Sequence, residues 1–143
     1  MRALRLQSEG QARVNRQMRE QQTAIPENVG VLREAVVRFA VASGATQRIR
    51  EQIALAVSEA LSNCVIHAYI DRDHPGPVTV EAWFREGTLI VLVSDEGRGM
   101  LPRLDSPGLG IGLLLMAQMC DQLDIEVSDD QPGVRMRLTF AIA

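Results

Sequence analysis

Apolar and polar residues follow a helical period in two stretches of the N-terminal half of the chain. In the first, apolar residues recur three and four positions apart after Pro26, a residue that favours the first turn of a helix. Gly44 suits the left-handed position that closes such a helix. The second stretch begins after Thr46, a residue that caps helices, and continues to about Tyr69. We therefore expect two consecutive helices.

The C-terminal half changes to a period of two, which is typical of half-buried strands. Alternation over 78–83, a Glu86-Gly87 turn and an apolar run over 89–93 predict an antiparallel hairpin. A glycine-led helix to about residue 123 and a second hairpin over 125–140 follow. These elements predict an α+β fold, a two-layer sandwich whose mixed, mostly antiparallel sheet is covered by helices on one face.

The first 22 residues are polar, rich in Gln and Arg, and weakly periodic. We interpret residues 1–22 as a flexible polar extension, in which a short helix or strand could form just before Pro26. The remaining residues, 23–143, are enough for one domain with a real core.

Composition narrows the class of protein. The net charge of −3 gives no basic field for nucleic acid, and no apolar run is long enough to span a membrane. The N-terminus also lacks the apolar run of a signal peptide. Cys64 and Cys120 both lie in apolar helical contexts, where reduced cysteines pack as small hydrophobic residues. We expect a cytoplasmic protein that binds neither nucleic acid directly nor a membrane.

The chain contains no lysine, because all 15 of its basic residues are arginine. A Walker A loop and a eukaryotic-type protein kinase both need a lysine at the phosphates, so neither mechanism is available. Any phosphate bound here would have to be held by backbone amides, a metal ion or arginine.

Glu59 and Asn63 form the first candidate motif. They are four residues apart on the second predicted helix, so they lie on one face, one turn apart. A carboxylate near the core needs a partner, and carboxylate and amide oxygens suit Mg2+. Taken alone, the pair favours the alternative of a partly exposed helix that carries polar residues toward its end.

Asp95, Gly97 and Gly99 form the second motif, directly after the predicted central strand. An ionised Asp only accepts hydrogen bonds, so a carboxylate at the end of a buried strand needs N–H donors, and the exocyclic amine of a purine would serve. The two glycines leave room beside it. The alternative is an ordinary Asp-rich turn.

Gly108, Gly110 and Gly112 form the third motif, at the start of an apolar helix. Amide groups at a helix N-terminus can bind an anion. The spacing is not a dinucleotide-binding fingerprint, since a proline-containing loop precedes it rather than a strand. The alternative is that the glycines allow close packing.

In this order and spacing, the three motifs resemble the N, G1 and G2 boxes of the GHKL ATPase superfamily. The amino-acid sequence of residues 57–69 is most similar to that of the anti-sigma-factor serine/threonine kinases, the RsbW-like branch. The resemblance covers about residues 26–140. It implies the GHKL (Bergerat) ATP-binding fold, with ATP and Mg2+ as cofactors.

The resemblance also implies residue roles. Asn63 would hold Mg2+, and Glu59 would be the catalytic base toward an attacking hydroxyl. Asp95 would accept a hydrogen bond from the adenine amine, and two glycines would shape its pocket. Gly97 and Gly99 are the two glycines of the adenine pocket. The remaining cofactor-binding residues are Gly108, Gly110, Gly112 and Leu113, and the glycines among them would wrap the phosphates.

The implied function is an anti-sigma factor with protein-serine/threonine kinase activity, which regulates transcription by partner switching. Its partners would be a sigma factor and an anti-anti-sigma (STAS-type) protein, and members of the branch are often homodimers. The sequence departs from the branch in a short segment between G1 and G2, in Pro107 before the G2 glycines and in Val134 in place of a threonine. These departures favour the alternative of a non-catalytic ATP-binding interaction module, whereas Glu59 favours a kinase.

A sensor histidine kinase is a third interpretation, and it needs a phospho-accepting histidine on an upstream helix. The only histidines, His67 and His74, lie within or after the first motif. That interpretation therefore requires an acceptor on another chain.

Overall fold

The computed structural model describes residues 16–99, 109–128 and 130–142. We number its elements in chain order. They are strand β1 (Gln17–Thr23), helix α1 (Pro26–Ala42), helix α2 (Gln47–Asn63) with a π-helical turn (Cys64–Ala68), strands β2 (Pro77–Arg85) and β3 (Thr88–Asp95), helix α3 (Leu109–Met119), and strands β4 (Gln122–Val127) and β5 (Val134–Ala141).

The strands form one sheet in the order β1-β2-β3-β5-β4, and every neighbouring pair is antiparallel. Alternate residues of β2, β3 and β5 are buried, as the period of two predicts. They share one hydrophobic core with the buried residues of the helices. The described helices therefore cover one face of the sheet and leave the other open, which confirms the predicted α+β sandwich.

Local sequence explains the helix ends. Thr46 caps α2, since its hydroxyl accepts a hydrogen bond from the amide of Ile49 at 3.3 Å. Gly44 adopts a φ of 104°, the left-handed position expected after α1. The α-helix of the second stretch stops at Asn63, earlier than predicted, because the wider π-helical turn replaces it.

Two further boundaries differ from the predictions. Residues 17–22 are not part of a flexible extension, since they pair along β2 as the edge strand β1. Residues 1–15 lie outside the described residues. Helix α3 ends at Met119 rather than near residue 123, because β4 already begins at Gln122.

Candidate functional site

Asn63 is the last residue of α2, and its side chain is buried, with 7% of its surface exposed. Its amide nitrogen has no hydrogen-bond partner among the described residues. An unpaired buried polar atom costs about 1–3 kcal/mol, so such atoms usually mark a place where a ligand or water binds. The amide can also present its oxygen after a half-turn, and that oxygen is a suitable ligand for a hard cation.

His67 lies one turn beyond Asn63, in the π-helical turn, and its Nε2 atom is likewise buried without a partner among the described residues. Burial, and then the positive charge of Arg98, lower the pKa of His67 below its usual value. The ring is therefore neutral at pH 7. Single π-helical turns within helices are frequent at functional sites, and this one places two unpaired polar atoms on the same side of the chain.

Asp95 ends β3 and is also buried, with 7% of its surface exposed. Its Oδ1 atom accepts two backbone hydrogen bonds, from Gly97 at 2.9 Å and from Val134 at 3.2 Å. Burial, and then the nearby carboxylate of Asp95, raise the pKa of the Cys64 thiol well above its ordinary value.

These residues line one cleft. Asn63 lines it from the end of α2, His67 from the π-helical turn and Asp95 from the end of β3. The complete lining consists of Asn63, Cys64, His67, Ala68, Asp95, Gly99, Val134 and Met136. The structure thus brings together the predicted residues Asn63, Asp95 and Gly99.

Hydrogen bonds connect the backbone after Asp95 to the π-helical turn and to the residue that follows it. The amide of Arg98 donates to the carbonyl of Ala68 at 2.9 Å, and its Nε atom donates to the carbonyl of His67 at 3.1 Å. The hydroxyl of Tyr69 accepts a hydrogen bond from the amide of Glu96 at 2.8 Å and donates one to the carbonyl of Pro77. Hydrogen bonds of Arg98 and Tyr69, which are not part of the cleft lining, therefore hold the two sides of the cleft together.

Two glycines have no room for a side chain. A Cβ atom on Gly97 would overlap the carbonyl oxygen of Ala68, and one on Gly133 would overlap the carbonyl oxygen of Asp95. Gly133 also has a φ of 100°, a left-handed conformation. Both glycines let backbone approach the cleft closely, which supports the predicted pocket role of Gly97 and adds Gly133.

Glu59 lies beside the third motif. A Cβ atom on Gly112 would be only 2.7 Å from Glu59 Oε2, so the half-buried carboxylate occupies the space that this glycine leaves. Gly112 and Gly110 are within α3 rather than in a loop before it. Leu113 packs against the hydrophobic core, and Gly108 is outside the described residues.

Sequence reasoning did not assign Cys64, Gly133 or Met136 to the site, and it treated Val134 only as a lost hydroxyl. The backbone amide of Val134 bonds to Asp95 whatever its side chain is. Met136 faces the cleft because β5 pairs with β3 along its length. Only Gly133 had a local clue, since it follows a proline in a predicted turn.

Comparison with known proteins decides the family. A family model described as a histidine kinase-like ATPase domain matches residues 22–138. The chain belongs to the family of histidine kinase-like ATPase domains. The GHKL resemblance of the three motifs is thereby confirmed, and this ATPase-domain family accounts for a cleft built between α2, β3 and β5.

Curated relatives of this ATPase domain include regulators. It is 32% identical over 124 residues to an anti-sigma F factor of Caldanaerobacter subterraneus subsp. tengcongensis, which covers 79% of this chain and 85% of the relative. It is 31% identical over 131 residues to the serine-protein kinase RsbW of Bacillus subtilis, which covers 81% of this chain and 79% of the relative.

Solved structures share the fold. The structure of the RsbU and RsbW domains of a Mycobacterium tuberculosis protein matches with a TM-score of 0.69 at 20% identity. That match covers 88% of this chain and 32% of the solved one. The histidine kinase domain of a blue-light activated histidine kinase of Erythrobacter litoralis matches with a TM-score of 0.57 at 22% identity, over 80% of this chain and 59% of that one. Within the described residues, none of the helices has both the length and the apolar character needed to cross a bilayer.

Proposed function

We propose that the chain is an ATP-dependent protein-serine/threonine kinase that acts as an anti-sigma factor. It would phosphorylate an anti-anti-sigma (STAS-type) protein and bind a sigma factor, and it would work as a homodimer. The curated relatives, named as an anti-sigma F factor and as serine-protein kinases, support the class of activity. The cleft with unpaired polar atoms at Asn63 and His67 is the observation that carries nucleotide binding.

The donor set of the cleft fits ATP and Mg2+. The buried amide of Asn63 offers one oxygen to a metal ion, and the neutral ring of His67 can hydrogen-bond to a metal-bound water or a phosphate. The carboxylate of Asp95, already fixed by two amides, accepts the amine of adenine. When bound, ATP and Mg2+ supply the transferable phosphoryl group and the positive charge that offsets its oxygens.

Glu59 would then act on the partner protein. Its carboxylate lies one turn before Asn63 and against Gly112, so it is held next to the helix that the phosphate-binding glycines form. In that position it could accept the proton of a serine or threonine hydroxyl as the hydroxyl oxygen bonds to the γ-phosphorus and the bond from that phosphorus to the departing ADP breaks. A side chain at position 112 would displace the carboxylate, which explains a glycine there.

One of the three departures from the branch leaves the support of Asp95 intact. Val134 lacks the hydroxyl of a threonine, but its backbone amide still holds Asp95. Pro107 and the short segment before G2 are outside the described residues. The contact of Glu59 with Gly112 favours the kinase over a non-catalytic ATP-binding module, because a module that only binds has no need for that carboxylate.

The test is phosphoryl transfer from γ-labelled ATP to a panel of purified STAS-type proteins, by the wild-type chain and by Glu59→Gln. We expect Glu59→Gln to lower the transfer rate by about 10²–10⁴-fold, since it removes the base and keeps the size of the side chain. The ATP dissociation constant should stay within twofold, because Glu59 is not part of the cleft lining.

A matched control on the same helix is Ser62, since it is half-buried and outside the cleft lining. Ser62→Ala should leave both rate and affinity unchanged. Equal transfer by wild type and Glu59→Gln would exclude Glu59 as the base. ATP binding without transfer to any STAS protein would favour the non-catalytic module.

A further inference from the structure

The three backbone amides that follow Asp95 all have hydrogen-bond partners. The amides of Gly97 and Arg98 donate to Asp95 Oδ1 and to a backbone carbonyl, both at 2.9 Å. The amide of Glu96 instead donates to a side chain of another element, the hydroxyl of Tyr69, at 2.8 Å. Of the three contacts, only this one can be removed by a substitution that leaves Asp95 itself in place.

The hydroxyl of Tyr69 has a defined direction. The side chain is buried, and its single hydroxyl proton is donated to the carbonyl of Pro77, so the oxygen is left to accept from Glu96. Pro77 begins β2, and the next residue, Val78, pairs with Asp95 across the sheet. The hydroxyl therefore joins the start of β2 to the end of β3, beside Asp95.

Two further contacts hold the ring of Tyr69. A Cβ atom on Gly76 would lie only 2.6 Å from the ring carbon Cε1, so backbone runs directly against the edge of the ring. The guanidinium of Arg72 lies over the ring, 5.1 Å from its centroid, and its Nη2 atom donates to the carbonyl of Glu96 at 3.0 Å. Glu96 is thereby held at its amide by Tyr69 and at its carbonyl by Arg72.

The orientation of Asp95 depends on these contacts. The peptide group that donates to Tyr69 joins Asp95 to Glu96, so its hydrogen bond fixes the backbone next to the carboxylate. Oδ1 of Asp95 accepts the amides of Gly97 and Val134, which leaves the other carboxylate oxygen to accept the amine of adenine. Because a hydrogen bond weakens steeply at angles below about 120°, a small rotation of this peptide alters that contact.

We propose that Tyr69 is a positioning residue for adenine recognition. Its hydroxyl fixes the peptide between Asp95 and Glu96, so that the carboxylate of Asp95 meets the exocyclic amine of ATP. Tyr69 is not part of the cleft lining, so it acts through Asp95. This inference deepens the proposed function and rests on the nucleotide binding assigned there.

The test measures how much the amine of adenine contributes to binding. Calorimetric titration of the full chain with ATP is compared with titration with purine riboside triphosphate, which has a hydrogen atom in place of the 6-amine, both in the presence of Mg2+. The ratio of the two dissociation constants gives the contribution of the amine. For wild type this ratio should be at least about 10, as expected for a hydrogen bond to a charged acceptor.

Tyr69→Phe keeps the ring and removes only the hydroxyl. The ratio should then fall to about 3 or less, because ATP loses affinity while the analogue without the amine keeps its own within about twofold. A residue that only supports the fold would lower both affinities together and leave the ratio unchanged.

Ser43→Ala is the matched control. The hydroxyl of Ser43 also donates to a backbone carbonyl, that of Phe39 at 2.8 Å, but it lies at the end of α1 and outside the cleft lining. This variant should keep the wild-type ratio.

Fluorination of Tyr69 decides the question should Tyr69→Phe fail to fold. Tyr69 is the only tyrosine of the chain, so expression with 3-fluorotyrosine changes this residue alone. The ring and the hydroxyl remain, but fluorine withdraws electron density from the oxygen and weakens its acceptance of the Glu96 amide. The ratio should fall by about twofold, and a single fluorine NMR resonance would confirm one folded environment.

The outcomes separate this inference from the function on which it rests. A wild-type ratio retained by folded Tyr69→Phe, or by the fluorinated protein where Tyr69→Phe does not fold, would overturn the role of Tyr69 and leave nucleotide binding intact. Equal affinity of wild type for the two nucleotides, or no binding of either, would contradict the proposed adenine site and this inference with it.

Discussion

Asn63 and His67 are the residues on which the site depends most directly. Each has a buried side-chain nitrogen without a partner among the described residues, and both line the same cleft. Leaving both atoms unpaired in the core would cost about 1–3 kcal/mol of folding stability for each atom. A polar ligand that hydrogen-bonds to both atoms would offset that cost, which explains why they are left unpaired in the protein.

His67 makes a prediction about pH. Its pKa is lowered in the folded chain by burial and by Arg98, so the unfolded chain takes up the proton first as the pH falls. The stabilisation from a neutral His67 is complete above the ordinary pKa of about 6.5 and is lost as the pH falls through and below that value. Without nucleotide, urea unfolding of His67→Gln should therefore lose less stability between pH 7 and pH 5 than wild type does.

The other histidine supplies the control for that measurement. His74 is exposed in the turn before β2, and His74→Gln should show the same pH dependence as wild type. An identical loss of stability in wild type and His67→Gln would contradict the low pKa of His67.

At the scale of elements, the cleft is a junction of α2, the end of β3 and the start of β5. At this junction, backbone segments lie closer together than a side chain between them would permit. Gly133 meets this need before β5, where a Cβ atom would overlap the carbonyl of Asp95. Asp95 and Val134 can then bond across the two strands.

Gly133→Ala should therefore destabilise the chain more than an alanine at another left-handed glycine. Gly44 is the matched position, since its φ is 104° against 100° for Gly133 and no atom lies within 4 Å of its Cβ site. Gly44→Ala should cost about 1 kcal/mol of backbone strain. Gly133→Ala adds an overlap in the core and should cost at least about 3 kcal/mol.

Thermal unfolding followed by circular dichroism compares the two variants. At roughly 4 °C for each kcal/mol, Gly133→Ala should melt well below Gly44→Ala. Equal melting temperatures would mean that the loop before β5 relaxes freely, and that the close approach of Gly133 to Asp95 is not required.

Much of this element-scale description followed from the sequence, and the failures have physical causes. Alternation of apolar residues predicted β2 and β5, and a continuous apolar run predicted β3. Strand β1 was left open only as a short helix or strand before Pro26, because it is an edge strand whose side chains are nearly all polar. The π-helical turn was missed because its residues continue the helical spacing of α2 without a break.

The site was predictable where one local motif supplies the residue, as for Asn63 and Asp95. It was not predictable where folding brings distant segments together. Cys64 was interpreted as a small core residue, and it is one, but its thiol also reaches the carboxylate of Asp95. Such a contact depends on the position of β3 under α2, which no local pattern encodes.

At the scale of the whole molecule, the sheet separates two surfaces. The helical face holds the cleft, whereas the alternate residues of the strands lie on the face that the described helices leave open. Strand β3 belongs to both, because Asp95 points to the core side and Ser94 to the open side.

The central claim, that the cleft binds ATP, is tested most directly by calorimetric titration of the full chain with ATP and Mg2+. The comparisons are GTP in place of ATP, ATP without Mg2+, and the Asp95→Asn variant. We predict Mg2+-dependent binding of ATP and much weaker binding of GTP. Asp95→Asn should bind ATP at least about 10-fold more weakly, since a hydrogen bond to a charged group contributes about 1.5–3 kcal/mol. Equal affinity of wild type and a folded Asp95→Asn variant, or no binding of ATP by wild type, would contradict the account.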